Sequence, residues 1–272
     1  MLIYDFLFLF LGFFITFILM PNILVFLRKI NFFEKNYNNI LIPISTGFFL
    51  GLIESFLCVI HLIVLREMDI FIIIFIFGMV IIGIVGIIDD KFGNKKIKGI
   101  RNHILYFFKK GKISTGIAKA FVGVFFSTLI SLFTTNNEIT FVLNSIIVAL
   151  SINYINLFDL RPGRSIKISI LTLFVALIIS QNKEYNFIAY STLGIISAYL
   201  PFDLKGKAML GDSGSNILGF ILGTYFITIQ PIYIKNIILF ILILSNTMAE
   251  FFSFSTIINN NKVLKYLDDL GR

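Results

Sequence analysis

Long apolar segments recur along the chain and constrain its fold more than any other feature. Nine runs of 15 or more mostly apolar residues are separated by short polar stretches. A helix needs roughly 20 apolar residues to cross the hydrocarbon core of a bilayer. Backbone polar groups in that core must be satisfied within the protein, so such runs predict helices. The predicted spans are 2–27, 41–65, 70–88, 116–133, 139–157, 165–180, 186–202, 213–230 and 232–254.

The composition supports a protein that resides in lipid. Hydrophobic residues make up 57% of the 272 residues, and charged residues only 14%. Soluble domains have about 25% charged residues, so this chain has too few polar side chains to cover a globule of its size. A soluble enzyme, a disordered protein and a nucleic-acid-binding domain are therefore excluded as first interpretations. We expect an all-α, polytopic membrane protein of about nine transmembrane helices, with residues 1–272 forming a single integral-membrane domain.

The basic residues predict the orientation of this domain. If the N-terminus lies outside, 20 of the 23 Lys and Arg residues fall in cytoplasmic segments or, like Lys119, just inside the next helix. Such an excess on one side is the usual sign of the cytoplasmic face. It also explains the net charge of +8 without any acidic partner. The predicted cytoplasmic loops are about 28–40, 89–115, 159–167 and 203–212, followed by a cytoplasmic tail at about 255–272.

Four carboxylates lie at the same predicted face. Asp89 and Asp90 end the third span, Asp159 follows the fifth, and Asp212 begins the eighth. Clustered carboxylates repel one another unless a cation neutralises them or some are protonated. Mg²⁺ is often held by one or two carboxylates together with substrate phosphates, and a basic surround attracts phosphate. The pattern favours phosphoryl-group chemistry on a Mg²⁺-bound nucleotide or lipid phosphate.

Simpler explanations exist for the same acidic residues. Asp212 could merely cap the helix that follows it. Asp89 and Asp90 could form an ordinary polar helix end. Glu54, inside the second span, is either a hydrogen-bonded structural group or a functional one, because an intramembrane carboxylate is costly.

Three polar residues at the end of the fifth span share one helix face. Asn153, Asn156 and Asp159 recur every three residues, and residues at this spacing are neighbours on a helix surface. A lipid-facing stripe of this kind is unusual. We therefore expect these side chains to line a polar cleft between helices.

Four short motifs give the chain a resemblance to a known family. They are Asn36-Tyr37 through Pro43-Ile44-Ser45-Thr46-Gly47, Gly86-Ile87-Ile88-Asp89-Asp90, Asn153-Tyr154-Ile155-Asn156-Leu157-Phe158-Asp159 and Ala208-Met209-Leu210-Gly211-Asp212-Ser213-Gly214-Ser215. In this order and on one predicted side, they resemble motifs of the polyprenyl-phosphate N-acetylhexosamine-1-phosphate transferases, glycosyltransferase family 4. That superfamily includes the phospho-MurNAc-pentapeptide translocase of peptidoglycan synthesis and GlcNAc-1-phosphate transferases of other envelope glycans.

The resemblance implies a reaction and a location. Members transfer a sugar-1-phosphate from a UDP-sugar to undecaprenyl phosphate and release UMP, with Mg²⁺ as cofactor. By resemblance, this chain is expected to catalyse the first membrane step of a cell-envelope glycan pathway. Its active site would lie on the cytoplasmic face of a bacterial plasma membrane. Members are often dimeric, so the resemblance also allows a homodimer.

The resemblance also assigns roles to individual residues. Asp212 matches the aspartate usually assigned to Mg²⁺. Asp89 or Asp90 matches a pair proposed to bind the metal or to act on the lipid phosphate, and Asp159 matches an aspartate near the substrate. We therefore expect Asp89, Asp90 and Asp159 as catalytic residues, Asp212 as the metal ligand, and Asn153, Asn156, Arg161, Arg164 and Lys119 as substrate contacts.

The chain departs from the better-known members in two places. Pro162 stands where those members have a second aspartate, three residues after Asp159. Those members also carry a histidine-rich loop after the ninth span, whereas the two histidines here are His61 and His103. These departures leave open a catalytically altered relative that binds polyprenyl phosphate or a partner enzyme without turnover. A transporter is less consistent with the sequence, because its polar residues would lie near the bilayer midplane.

Overall fold

Helices form most of the chain. The computed structural model describes residues 2–36, 38–93, 114–229 and 231–272. Its elements are α1 (Leu2–Lys29), β1 (Phe33–Lys35), β2 (Leu41–Pro43), α2 (Thr46–Leu65), α3 (Ile70–Phe92), α4 (Thr115–Leu132), α5 (Glu138–Phe158), α6 (Arg164–Ile179), α7 (Asn186–Leu204), α8 (Gly211–Thr228), α9 (Ile232–Phe251), α10 (Phe254–Asn260) and α11 (Lys262–Asp269). The predicted all-α class is therefore confirmed, with one small hairpin added.

Seven helices within these ranges are long and apolar enough to cross a membrane. They are α1 to α5, α7 and α9. The shorter α6 has 16 residues. In α8, every residue except Asp212 is buried. Because other helices surround α8, it needs no apolar surface toward lipid. A multi-pass membrane protein is supported, whereas the count of nine spans and their orientation stay predictions.

The outer helices present large apolar side chains to their surroundings. On α1, Phe10, Phe14 and Phe17 are 54%, 56% and 57% exposed. On α9, Phe240 is 66% exposed. A contiguous apolar surface of this kind is rare on soluble monomers and marks contact with a partner or a membrane. These faces are therefore suited to lipid.

A hairpin connects α1 to α2, and it extends beyond the first predicted cytoplasmic loop into the predicted second span. Strands β1 and β2 pair antiparallel, with Phe33 opposite Pro43. The second span was predicted from residue 41, and this boundary is wrong because the apolar segment Leu41–Pro43 is a strand. Ser45 then adopts a left-handed conformation, with φ at 63°, and α2 begins at Thr46.

The other predicted loops differ in length from expectation. Helix α6 begins at Arg164, so the predicted loop 159–167 is reduced to 159–163. Helix α7 extends to Leu204, which shortens the predicted loop 203–212. Most of the predicted basic loop 89–115 lies outside the described residues, as does His103.

Close packing places the start of α8 against the end of α3. Helix α8 packs against α2, α3 and α5. At Gly86 on α3, an added Cβ would lie 2.3 Å from the Cα of Ser213. Only glycine permits this approach, because the obstructing atom belongs to the backbone. Gly86 therefore lets Asp89 and Asp90 reach the first turn of α8.

We predict that Gly86→Ala destabilises the protein by about 1–3 kcal/mol, the usual cost of overpacking. The new methyl group would force α3 and α8 apart. Gly123→Ala on α4 is the matched control, since its added Cβ would lie 3.4 Å from the Ile152 side chain, an ordinary contact. Thermal unfolding of detergent-purified protein measures both. Equal melting temperatures for the two variants would contradict the prediction.

Candidate active site

Residues from all four motifs meet at one end of the helix bundle. Asp89 and Asp90 lie in the last turn of α3, and Asp212 lies in the first turn of α8. Ser45 lies just before α2, and Asn156 lies in the last turn of α5. The sequence separates these residues by up to 167 positions, and helix packing brings them together.

A lysine connects two of the carboxylates. Lys119 on α4 donates hydrogen bonds to Oδ2 of Asp89 and to Oδ2 of Asp212, each with Nζ at 2.9 Å. The side chain of Asp212 is 32% exposed, compared with 13% for Asp89 and 19% for Lys119. The cluster is therefore partly shielded from solvent but open on the Asp212 side. One ammonium group therefore bridges two carboxylates there.

Unlike Asp89, Asp90 caps the N-terminus of α8. Its Oδ1 accepts the backbone N–H of Asp212 at 2.8 Å, and its Oδ2 accepts that of Ser213 at 3.3 Å. The Ser45 hydroxyl donates to the same Oδ2. A carboxylate at a helix N-terminus satisfies unpaired N–H groups and interacts favourably with the helix dipole. Asp90 therefore fixes Asp212 in place, and the explanation of Asp212 as a mere cap is wrong.

The cap depends on the glycine that precedes Asp212. Gly211 has a φ of 76°, which favours glycine. A Cβ at this position would lie 2.6 Å from Oδ2 of Asp90 and 3.0 Å from the backbone nitrogen of Ser45. The glycine of the motif thus makes room for the capping carboxylate.

The end of α5 forms the adjacent part of the site. The Ser215 hydroxyl donates to Oδ1 of Asn156 at 3.1 Å, which joins α8 to α5. The Ser165 hydroxyl donates to Oδ1 of Asp159 at 2.8 Å. Burial, together with the nearby Asp203 carboxylate, raises the pKa of Asp159 to about 8, and the hydrogen bond from Ser165 opposes this shift. These surroundings favour the protonated form of Asp159.

A pocket opens beside this cluster. Its enclosed volume is about 60 Å³, small beside the roughly 300–1,000 Å³ of most ligand pockets, so only part of a ligand could sit inside it. Arg161 and Asp159 supply its charged lining, together with Asp203 at the end of α7. Leu210, next to Gly211, connects the pocket wall to the start of α8. The pocket wall thus ends two residues before Asp212.

Two of the predicted substrate contacts lie elsewhere. Arg164 is buried, and its guanidinium binds Asp268 on α11 with contacts of 2.8 and 2.7 Å. Asn153 donates to Oδ1 of Asn246 on α9 at 2.7 Å. It therefore faces a different neighbour from Asn156, although both are on α5. The structure does not bring Arg164 or Asn153 into the cluster.

Sequence reasoning did not single out Ser45, Asp203 and Asp268. Ser45 belongs to a recognised motif, so its polar hydroxyl beside the motif glycine was an available signal. Asp203 belongs to none of the four motifs, yet its Oδ2 accepts the N–H of Gly163 at 2.7 Å. Asp268 lies in the predicted tail, and nothing local in the sequence links it to Arg164.

The carboxylates that share Lys119 fit the chemistry of a Mg²⁺ ligand set. Asp89 and Asp212 converge on one nitrogen, so they also converge on a point where a cation is stabilised. Within the described ranges, no group of three or more His, Cys, Asp or Glu side chains is arranged to hold a metal. Mg²⁺ commonly takes only one or two carboxylates and completes its shell with water and substrate phosphates. Two protein carboxylates are therefore sufficient donors for that mode of binding.

A comparison with protein families identifies this arrangement. The model for glycosyl transferase family 4 matches residues 72–230. The chain belongs to this family. The matched region contains most of the residues that meet at this end of the bundle, namely Asp89, Asp90, Lys119, Asn156 and Asp212. The family supports a membrane-embedded transferase of sugar phosphates that acts with a polyprenyl-phosphate lipid. A search of curated proteins found no match.

Within this family member, we predict different effects for the two adjacent aspartates. Asp90→Asn places an amide N–H₂ against backbone N–H groups and should cost about 1–3 kcal/mol of stability. Asp89→Asn leaves the cap intact and keeps Lys119 paired with Asp212, so the melting temperature should change little. Thermal unfolding in detergent distinguishes them. A larger loss for Asp89→Asn than for Asp90→Asn would contradict the assignment of Asp90 as the cap.

Proposed function

We propose that this protein transfers N-acetylhexosamine-1-phosphate from a UDP-sugar to undecaprenyl phosphate and releases UMP. It would do so with Mg²⁺, at the cytoplasmic face of a bacterial plasma membrane, as the first membrane step of an envelope glycan pathway. An oxygen of the lipid phosphate would bond to the phosphorus that carries the sugar. The bond from that phosphorus to the bridging oxygen would break, and UMP would leave with its electron pair.

The observation that carries this proposal is the cluster of Asp89, Lys119 and Asp212 at the open end of the bundle. It combines carboxylates with an ammonium group, 2.9 Å from each of them, beside a pocket lined by Arg161. Phosphoryl transfer depends mainly on positioning and on stabilisation of charge. Such a cluster can supply both to a diphosphate.

The residues of the cluster divide these tasks. Lys119 is suited to stabilise charge on the transferring phosphoryl group, as positioned cations do. Arg161 is suited to bind the phosphates of the donor. Asp89 is the more available of the adjacent pair, since Asp90 is engaged by the start of α8. Asp89 could therefore bind a cation together with Asp212. Protonated Asp159 would add no repulsion toward the donor.

Asp212 and Asp89 are the residues that would hold Mg²⁺. When bound there, the ion would neutralise charge on the diphosphate and on the departing UMP. Asp90 supports this role indirectly, because it fixes the first turn of α8 and with it the backbone of Asp212.

A second candidate is a relative that binds polyprenyl phosphate without turnover. The observation in its favour is the sequence after the ninth helix, where α10 and α11 contain no histidine. Such a protein would bind the lipid but release no UMP. The two candidates therefore differ in one measurable product.

We predict that purified protein releases UMP only when undecaprenyl phosphate, Mg²⁺ and a suitable UDP-N-acetylhexosamine are all present. Asp212→Asn should lower the rate at least about 100-fold, because charge stabilisation of this kind is worth 10²–10³ in rate. It should also weaken the dependence of any residual rate on Mg²⁺. A panel of UDP-sugars would identify the donor.

Lys265→Ala, an exposed change on α11, is the matched control and should keep the wild-type rate. Near-normal turnover by Asp212→Asn would overturn the assignment of Asp212. Lipid binding without UMP release from any donor would favour the second candidate.

A further inference from the structure

The turn between α5 and α6 forms one wall of the pocket. Leu160, Arg161 and Pro162 from this turn all line it. Gly163 ends the turn with a φ of 75° and packs against Leu204, which an added Cβ would approach to 2.3 Å. The position of this turn therefore determines the shape of the pocket and the position of Arg161.

A single peptide group in this turn is held from both sides. The N–H of Gly163 donates to Oδ2 of Asp203 on α7 at 2.7 Å. The carbonyl oxygen of Pro162, in the same peptide group, accepts from Nε of Arg272 at 2.8 Å. Because the peptide unit is planar and rigid, two opposed hydrogen bonds fix its orientation. One of these anchors lines the pocket, and the other comes from outside it.

Arg272 is itself held by a buried carboxylate. Its Nη1 and Nη2 donate to Asp268 at 3.1 and 2.9 Å. Arg164, at the start of α6, donates to the same carboxylate with two further nitrogens. Burial raises the pKa of Asp268, but hydrogen bonds from Arg164 and Arg272 lower it to about 2. The carboxylate is therefore charged at neutral pH and accepts hydrogen bonds from both guanidinium groups.

A lysine strengthens the attachment of α11 to α6. Lys167 Nζ donates to the carbonyl oxygens of Leu267 and Asp268, at 3.0 and 2.7 Å. A cation near the last carbonyls of a helix is favourable. Both Asp268 and Arg272 lie outside the region matched by the family model, 72–230.

We propose that Asp268 and Arg272 are positioning residues for the donor pocket. They hold the Pro162–Gly163 peptide and, through it, the wall that carries Arg161. This inference rests on the proposed function, because it takes the pocket as the site of the UDP-sugar. Neither residue lines the pocket, so neither is expected to touch the donor or to act in the chemical step.

The consequence is a specific kinetic effect. If the wall is free to move, Arg161 spends less time where it can bind the donor phosphates. Binding of the donor then weakens, whereas the lipid acceptor and the carboxylate cluster are unaffected. A change that removes binding shared equally by the ground state and the transition state raises KM without lowering kcat.

Arg272→Ala is the variant that tests this proposal. It releases the Pro162 carbonyl but leaves Asp268 paired with Arg164, so the buried carboxylate keeps a partner. Lys265→Ala removes a charge of the same sign from the exposed surface of α11 and is the control. Three quantities are measured: the KM for the UDP-sugar, the KM for undecaprenyl phosphate, and hydrogen exchange of residues 159–164.

We expect Arg272→Ala to raise the KM for the donor about tenfold and to leave kcat within about threefold, as expected when uniform binding is lost. The KM for the lipid should stay unchanged, and exchange at Gly163 should accelerate. Arg272→Lys should recover part of the donor affinity, because its ammonium group can still donate to the Pro162 carbonyl. Lys265→Ala should match the wild type in every measurement.

Two results would overturn the proposal. One is unchanged exchange at Gly163 in Arg272→Ala. The other is faster exchange with an unchanged KM for the donor. If the wild type released no UMP, the proposed function would fail, and the affinity for UMP would then be measured by calorimetry. Equal UMP affinity in wild type and Arg272→Ala would then overturn the positioning role as well.

Discussion

The rest of the site depends on the capping of α8 by the carboxylate of Asp90. That carboxylate accepts backbone N–H groups from the first turn of α8 and a hydroxyl from the residue that precedes α2. Three segments distant in sequence therefore share one charged group. An unpaired helix terminus in a partly buried place is costly, so this carboxylate favours a single arrangement of the three segments. Asp212 gains its position from that arrangement.

The two adjacent aspartates thus have different partners. Asp90 is directed toward the backbone of α8, whereas Asp89 is directed toward Lys119 and the open side. This division explains why two carboxylates stand side by side in a segment where each charge is expensive. Asp90 holds the start of α8, and Asp89 is the one that the proposed function assigns to the substrate side.

Much of the fold followed from elementary patterns in the sequence. Apolar run length predicted the long helices, and the positions of Asp89, Asp159 and Asp212 at one end of their spans predicted that they would meet. The hairpin was missed because Leu41–Pro43 is as apolar as a span. The partners of Asp90 and Arg164 were also missed, because they lie 122 and 104 residues away. Periodicity and local motifs carry no information about such distant pairs.

The enclosure of α8 has a consequence for how the protein is assembled. Helices α2, α3 and α5 surround the start of α8, and all of them precede it in the chain. During synthesis they must enter the membrane before their central partner exists. The space that α8 fills must therefore stay open among the earlier helices, or these helices must separate to admit α8. Until then Asp90 has no helix to cap and must remain hydrated at the membrane surface. The arrival of α8 thus also completes the carboxylate cluster.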